Sequence, residues 1–201
     1  PLNHVVDHTP NFRWTYFDTT GASQVRYQIE VGEDNDWDVA ELWSTGEVHS
    51  SSVNTEYAGA DLIDANHYHV RIRVGTATDW SIWNGFLFTM NSLPTVPVGQ
   101  SPASEDTVAS GFKLVVANSD DVELDAITYD YEIYSDVGMT QLVYSQTRLY
   151  EGNETSSTPS IITLPTNSNY WWRARSNDGF EYSSWSVPIS FYLRDPWSIR
   201  V

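Results

Sequence analysis

Apolar and polar residues alternate along most of this chain with a period of two, the signature of strands that bury one face. In FRWTY the residues Phe12, Trp14 and Tyr16 share a face. In VRYQIEV the set is Val25, Tyr27, Ile29 and Val31, and in YHVRIRV it is Tyr68, Val70, Ile72 and Val74. The pattern returns a hundred residues later: Phe112, Leu114 and Val116, then Ile127, Tyr129, Tyr131 and Ile133, then Tyr170, Trp172 and Ala174. No segment has a helical period with caps, and VAELW, after Asp38, is too short to make a helix. Turn clusters such as DTTG at 18–21, SNDG at 176–179 and EGNETSSTPS at 151–160 separate the runs. The expectation is an all-β chain of antiparallel sandwich type.

Self-comparison turns this pattern into a domain plan. A shift of 102 residues carries Leu62 and Tyr68 onto Leu164 and Tyr170, Arg71 and Arg73 onto Arg173 and Arg175, and Trp83 onto Trp185. FRWTYFD answers to FKLVVAN at an offset of 100, and the drift between offsets marks loop insertions. Two copies of one domain are expected, residues 1–92 and 93–201, with strand A of the first incomplete and a short C-terminal extension, RDPWSIRV, on the second. The connection SLPTVP carries two prolines, so it reads as extended and semi-rigid, and the expected arrangement is elongated.

Leu followed six residues later by Tyr, then alternation and a closing aromatic-Ser pair, resembles the fibronectin type III domain. The likeness covers nearly the whole chain twice. The wording of YxIxVG and YWWRARSNDG is similar to modules in prokaryotic surface and secreted proteins. The resemblance implies two tandem immunoglobulin-like β-sandwiches with Leu62 and Tyr68, and Leu164 and Tyr170, at the E–F corner. It also implies a structural or adhesion role outside the cell, on a cell surface or a virion surface.

On the strand starting at Tyr68, residues Arg71 and Arg73 alternate outward. The segment WSIWN that follows can lay Trp80 and Trp83 between those guanidiniums, and Tyr182 and Trp185 can do the same for Arg173 and Arg175. This ladder is similar to the Trp-Ser-x-Trp-Ser element of cytokine-receptor domains, but those ectodomains carry disulfides and this chain has no cysteine. The expectation is a structural ladder, with a sugar-binding aromatic platform as the alternative.

Composition narrows the function. The net charge is −17, from 27 acidic and 10 basic residues, and it is spread over both copies. Such a surface repels phosphate backbones, which argues against nucleic-acid partners. No apolar run reaches the roughly 20 residues of a membrane helix. Pro1 opens on sequence that already reads as domain, which suggests a piece excised from a longer protein. The loop NSDDVELD offers a calcium alternative through Asp120, Asp121 and Asp125, and EDNDWD at 33–38 a lesser one, but neither has EF-hand spacing, so no cofactor is expected. His67 and His69 lie two apart without a third ligand in the sequence, and Asn153 opens a glycosylation sequon. No nucleophile elbow, HExxH or phosphate loop is present, so no enzymatic activity is expected. The reading is a non-catalytic spacer or adhesion module with protein partners or self-assembly. The alternative is a carbohydrate-binding accessory region of a secreted polysaccharide-active enzyme.

Overall fold

The computed structural model describes residues 3–161 and 164–195; the end of the RDPWSIRV extension, 196–201, lies outside the described residues. The chain divides into two compact units, Pro1–Ser92 and Leu93–Val201. Every regular element among the described residues is a β-strand.

In the first unit the strands are β1 (Asn3–Val5), β2 (Asn11–Arg13), β3 (Arg26–Gly32), β4 (Trp43–Ser44), β5 (Asn54–Glu56), β6 (His67–Gly75) and β7 (Asn84–Met90). They form a five-stranded sheet in the order β1-β7-β6-β3-β4 facing the pair β2-β5. In the second unit they are β8 (Val98–Ser101), β9 (Asp106–Ala109), β10 (Val115–Ala117), β11 (Thr128–Tyr134), β12 (Leu142–Tyr150), β13 (Thr155–Ser157), β14 (Ser168–Asn177) and β15 (Ile189–Arg194). Here the five-stranded sheet runs β12-β11-β14-β15-β9, and the second sheet is β13-β10-β8. Both large sheets are antiparallel except at one edge, where β1 runs parallel to β7 and β9 parallel to β15.

The alternation read from the sequence places the cores. Tyr27, Ile29 and Val31 on β3 and Tyr68 and Val70 on β6 are buried against Phe12, Leu62, Phe88 and Met90. In the second unit Tyr129, Tyr131 and Ile133 on β11 and Tyr170, Trp172 and Ala174 on β14 pack with Leu114, Val116, Phe191 and Leu193. Val25 departs from the expected inward set and is 40% exposed. The strand begins one residue later, at Arg26, and the inward place is taken by Gln24. The Gln24 amide donates to the Ser52 carbonyl at 2.6 Å while its oxygen accepts the Trp14 indole N–H at 3.1 Å, so a polar side chain is buried with its hydrogen bonds made.

The E–F corners are equivalent in position and opposite in polarity. In the first unit the Tyr68 hydroxyl accepts the backbone N–H of Ile63 at 2.9 Å. In the second the matching residue is Pro165, which has no N–H, and the Tyr170 hydroxyl turns donor to the Pro165 carbonyl at 2.7 Å. The rotor of a tyrosine hydroxyl allows either, so the corner survives the substitution.

Two other core tyrosines behave differently. Tyr129 accepts the Ser119 backbone N–H at 2.6 Å and donates to Glu151 at 2.9 Å. The fully buried Tyr131 hydroxyl has no hydrogen-bond partner among the described residues. Tyr129→Phe is therefore expected to destabilise the second unit by about 1–2 kcal/mol, because it strands a buried donor, whereas Tyr131→Phe should leave stability unchanged or raise it. Denaturant titration of the two variants checks this ordering.

Burial pushes the Tyr129 phenol up to about 12, helped by Glu151, and burial raises Tyr131 as well. A folded pKa above the unfolded value of about 10 gives stability that is complete below pH 10 and lost as pH rises through 12. Tyrosinate absorbance should accordingly show these two residues ionising only together with alkaline unfolding of the second unit.

Candidate functional site: two guanidinium–aromatic ladders

The outward face of each large sheet carries a stack of alternating guanidiniums and aromatic rings. Strand register builds it. On β3 and β6 the outward residues face each other as Gln28 with Arg73 and Glu30 with Arg71, and Arg26 faces Gly75. On β11 and β14 the corresponding pairs are Asp130 with Arg175 and Glu132 with Arg173. Each of these four β6 and β14 arginines therefore has an acceptor across the strand before any ring is considered.

In the first unit the rings of Trp80 and Trp83 enter between the guanidiniums. Arg73 lies 4.4 Å from the Trp80 centroid and 4.7 Å from that of Trp83, and Arg71 lies 4.3 Å from Trp83. The stack continues in both directions, with Arg26 at 4.4 Å on the far side of Trp80 and Trp37 at 4.5 Å from Arg71. The order is Arg26, Trp80, Arg73, Trp83, Arg71, Trp37. In the second unit Arg175 lies 3.8 Å from Tyr182 and 4.5 Å from Trp185, and Arg173 lies 4.3 Å from Trp185 and 5.3 Å from Tyr134. This ladder is one rung shorter because Thr128 and Asn177 stand where the first unit pairs Arg26 with Gly75. A Cβ on Gly75 would come within 2.7 Å of Arg26 Nε, so the glycine gives the guanidinium its place beside the sheet.

The edges of the guanidiniums are spent on acceptors. Arg71 Nε donates to Glu30 at 2.6 Å, and Arg73 donates from Nε and Nη2 to the Gln28 oxygen at 3.1 and 2.6 Å. Arg26 reaches Glu47 at 3.0 Å. In the second unit Arg173 donates to Glu132 at 2.9 Å and to the Tyr134 hydroxyl at 3.0 Å, and Arg175 donates twice to Asp130 at 3.2 and 3.0 Å. A planar cation can serve rings with its faces and carboxylates with its edge at once, which lysine cannot.

The serines of the two segments hold the rings in place. Ser81 donates its N–H to the Val74 carbonyl at 2.8 Å and its hydroxyl accepts the Val74 N–H at 3.0 Å. Ser183 does the same for Ser176, and Ser186 for Ala174. The segment thus satisfies the edge of β6 or β14 without being a strand, and projects every third residue over the arginines. Ile82, between the two tryptophans, points away and is 89% exposed.

The expected residues Arg71, Arg73, Trp80 and Trp83 lie together in one ladder, and Arg173, Arg175, Tyr182 and Trp185 in the other. Missing from that set were Arg26, Trp37 and Tyr134, and the acceptors Gln28, Glu30, Asp130 and Glu132. The acceptors were readable, since period two already turned them outward beside the arginines. Trp37 lay within an acidic loop and carried no periodic signal.

The remaining candidates serve loops. The Asp121 carboxylate accepts the Asp125 N–H at 2.9 Å, and Asp120 exchanges two bonds with Thr95, N–H to Oγ1 at 2.7 Å and carbonyl to N–H at 2.9 Å. His67 shares a hydrogen bond with Thr89 at 2.7 Å. Among the described residues no three His, Cys, Asp or Glu side chains are grouped to hold a metal ion.

Arg175 should be the most costly arginine to remove, because Asp130 is only 4% exposed and would be left buried without its counter-ion. Arg175→Ala is expected to cost about 3 kcal/mol or more. Arg73→Ala, whose partner is the neutral Gln28, should cost about 1–2 kcal/mol in lost ring contacts and a hydrogen bond. Adding Asp130→Asn to Arg175→Ala should recover part of the loss, and a double-mutant cycle by calorimetry checks the coupling.

Residues 3–90 match the family model described as the Rha78A-like, N-terminal immunoglobulin domain. Among solved structures, the fibronectin(III)-like modules of Clostridium thermocellum CbhA share 10% identity with this chain, covering 96% of it and 90% of their own length at a TM-score of 0.51. The FN1-FN3 domains of chicken CNTN1 align at 12% identity over 96% of this chain with a TM-score of 0.37, and this chain spans only 64% of theirs. An α-L-rhamnosidase from Dictyoglumus thermophilum aligns at 14% identity over 95% of this chain and 28% of its own, with a TM-score of 0.40. No curated protein matches the sequence. The chain is a tandem of fibronectin type III-like, immunoglobulin-type β-sandwiches, the first of which matches the Rha78A-like N-terminal immunoglobulin domain.

Proposed function

We propose that the chain is a non-catalytic accessory module of a larger secreted or surface-exposed protein, holding or spacing other parts of it. The observation that carries this reading is the internal use of its most conspicuous chemistry. Trp80, Trp83 and Trp185 have a guanidinium on each face, and the guanidinium edges go to Glu30, Gln28, Glu132 and Asp130 on the adjacent strand and, for Arg26, to Glu47. Ring and guanidinium faces committed in this way brace a sheet and are not open to a substrate.

Hydrogen bonds hold three carboxylates below their ordinary pKa, Asp18 through its bonds from Thr20, Glu47 through its bond from Arg26, and Asp136 through the Gln141 N–H. No helix among the described residues is long and apolar enough to cross a membrane, and the family match and the CbhA modules are to domains of larger proteins. The acidic surface and the absence of cysteine suit a module exposed to salt outside the cell, whose stability comes from cores and ladders.

A panel of chromogenic glycosides and soluble polysaccharides should give no turnover with the isolated chain. Saturable turnover that disappears on substituting a carboxylate would overturn the proposal. In single-molecule stretching, Arg175→Ala and Arg73→Ala should each lower the force at which one unit yields, and unchanged forces would remove the bracing role.

A further inference from the structure

Trp37, at the end of the first ladder, and Trp171, outside the second, each lie in a groove on the outward face of the large sheet of their unit. In the first unit the groove has a volume of about 430 Å³ and is lined by Asn35, Trp37, His69, Arg71, Trp83 and Leu87 among others. Trp37 is the last rung of its ladder, so only one face of its ring meets a guanidinium. Gly85 stands opposite Arg71 on β7, and with no side chain there the floor beside Arg71 stays open.

Three polar groups in this groove keep unspent hydrogen-bonding capacity. The Asn35 oxygen accepts the Trp37 indole N–H at 3.0 Å, which leaves its amide N–H₂ free to donate. The half-buried His69 ring has no hydrogen-bond partner among the described residues, and Arg71 uses Nε and Nη2 but not Nη1. No carboxylate lines the groove, in a chain of net charge −17.

The second unit has its groove on the same strand pair, β14 and β15, with a volume of about 260 Å³ and a lining of Glu105, Asn169, Trp171, Ser190, Phe191 and Tyr192. Trp171 occupies the place of His69 in the repeat. Its half-buried indole contacts no other ring and no guanidinium, and neither the Asn169 amide nor the Glu105 carboxylate has a partner among the described residues.

A flat aromatic face beside donors and acceptors in an open groove suits a ligand with an apolar face and a polar rim. A pyranose ring has this form: its axial C–H groups pack on an indole while its equatorial hydroxyls need planar hydrogen-bonding partners around the edge. Volumes of a few hundred Å³ suit one or two such rings. A ligand of drug-like hydrophobicity would need an enclosed apolar wall that neither groove has.

We propose that each unit binds a pyranose-containing oligosaccharide in the groove on the outward face of its β6–β7 or β14–β15 strand pair, with Trp37 and Trp171 as the stacking platforms. This goes beyond the accessory role and does not depend on it. The two grooves differ in their rims, Arg71 and His69 in the first and Glu105 in the second, so the first should accept uronic sugars and the second should prefer neutral ones.

The test is a panel of neutral and uronic oligosaccharides, followed by isothermal titration of the full chain with the members that bind. Trp37→Ala and His69→Ala should weaken the uronic ligand at least about tenfold, and Trp171→Ala and Asn169→Ala the neutral one, each without affecting the other groove. His69→Ala and Asn169→Ala touch no ladder contact and so separate binding from folding. Trp80→Ala, inside the ladder and outside the groove, should lower the unfolding temperature and leave binding intact. A panel with no binder, or binding that persists in the Trp37→Ala/Trp171→Ala protein, would overturn this inference while leaving the accessory role standing. Turnover of a bound saccharide would overturn the accessory role and not the grooves.

Discussion

The structure depends on a planar cation being used in two directions at once. Arg71, Arg73, Arg173 and Arg175 each present faces to aromatic rings and an edge to an acceptor on the neighbouring strand. Neither contact alone would count for much on the outer face of a sheet, where an exposed ion pair is worth about 0–1 kcal/mol and a single cation–π contact about 0.5–1, the buried Asp130 partner of Arg175 being the exception. Together they remove each other's freedom: the acceptor fixes the plane of the guanidinium, and the fixed plane is what the ring needs. Side chains that would have cost rotamer entropy separately are ordered once, as a stack.

This stack explains why the segment after strand β6 or β14 is not itself a strand. A strand would turn alternate residues outward at spacings set by the pleat, whereas the arginines two apart on β6 require rings delivered at the gaps between them. Trp80 and Trp83, three apart, meet that demand because the intervening Ser81 has already closed both backbone bonds to Val74. The second unit makes the same closure twice, through Ser183 and Ser186, where the first has Asn84 entering β7 directly. One constraint therefore fixes the serines, the spacing of the rings and the point at which pairing with the last strand resumes.

How much of this could be read beforehand follows from the range of each interaction. The sandwich class and the ladder residues Arg71, Arg73, Trp80 and Trp83 were legible because period two and a 102-residue repeat are local signals that survive without any contact map. Val25 was misplaced because alternation was extended one residue past the start of β3, into a stretch where the buried place belongs to Gln24. Arg26 was hidden by the same boundary, and its place in the stack further depends on the absence of a side chain at Gly75, across the sheet. Trp37 was illegible for a different reason. It reaches Arg71 from a loop whose path is set by side-chain bonds such as that from its own indole to Asn35, and loop paths carry no period.

The ends of the ladders are where the two copies diverge, and divergence there has a physical meaning. Interior rungs are constrained on both faces, so Trp83 and Trp185, or Arg73 and Arg175, have little room to differ. A terminal rung has one committed face and one open face, and what closes it is free to vary: a loop tryptophan at one end of the first ladder, the Tyr134 ring held by its own bond to Glu132 in the second. Tyr134 is buried and ends its stack as a closed cap, while Trp37 ends the other with part of its ring facing a groove. The same bracing element thus leaves a sealed end in one copy and an accessible aromatic surface in the other, which separates the part of the motif that belongs to the fold from the part available for recognition.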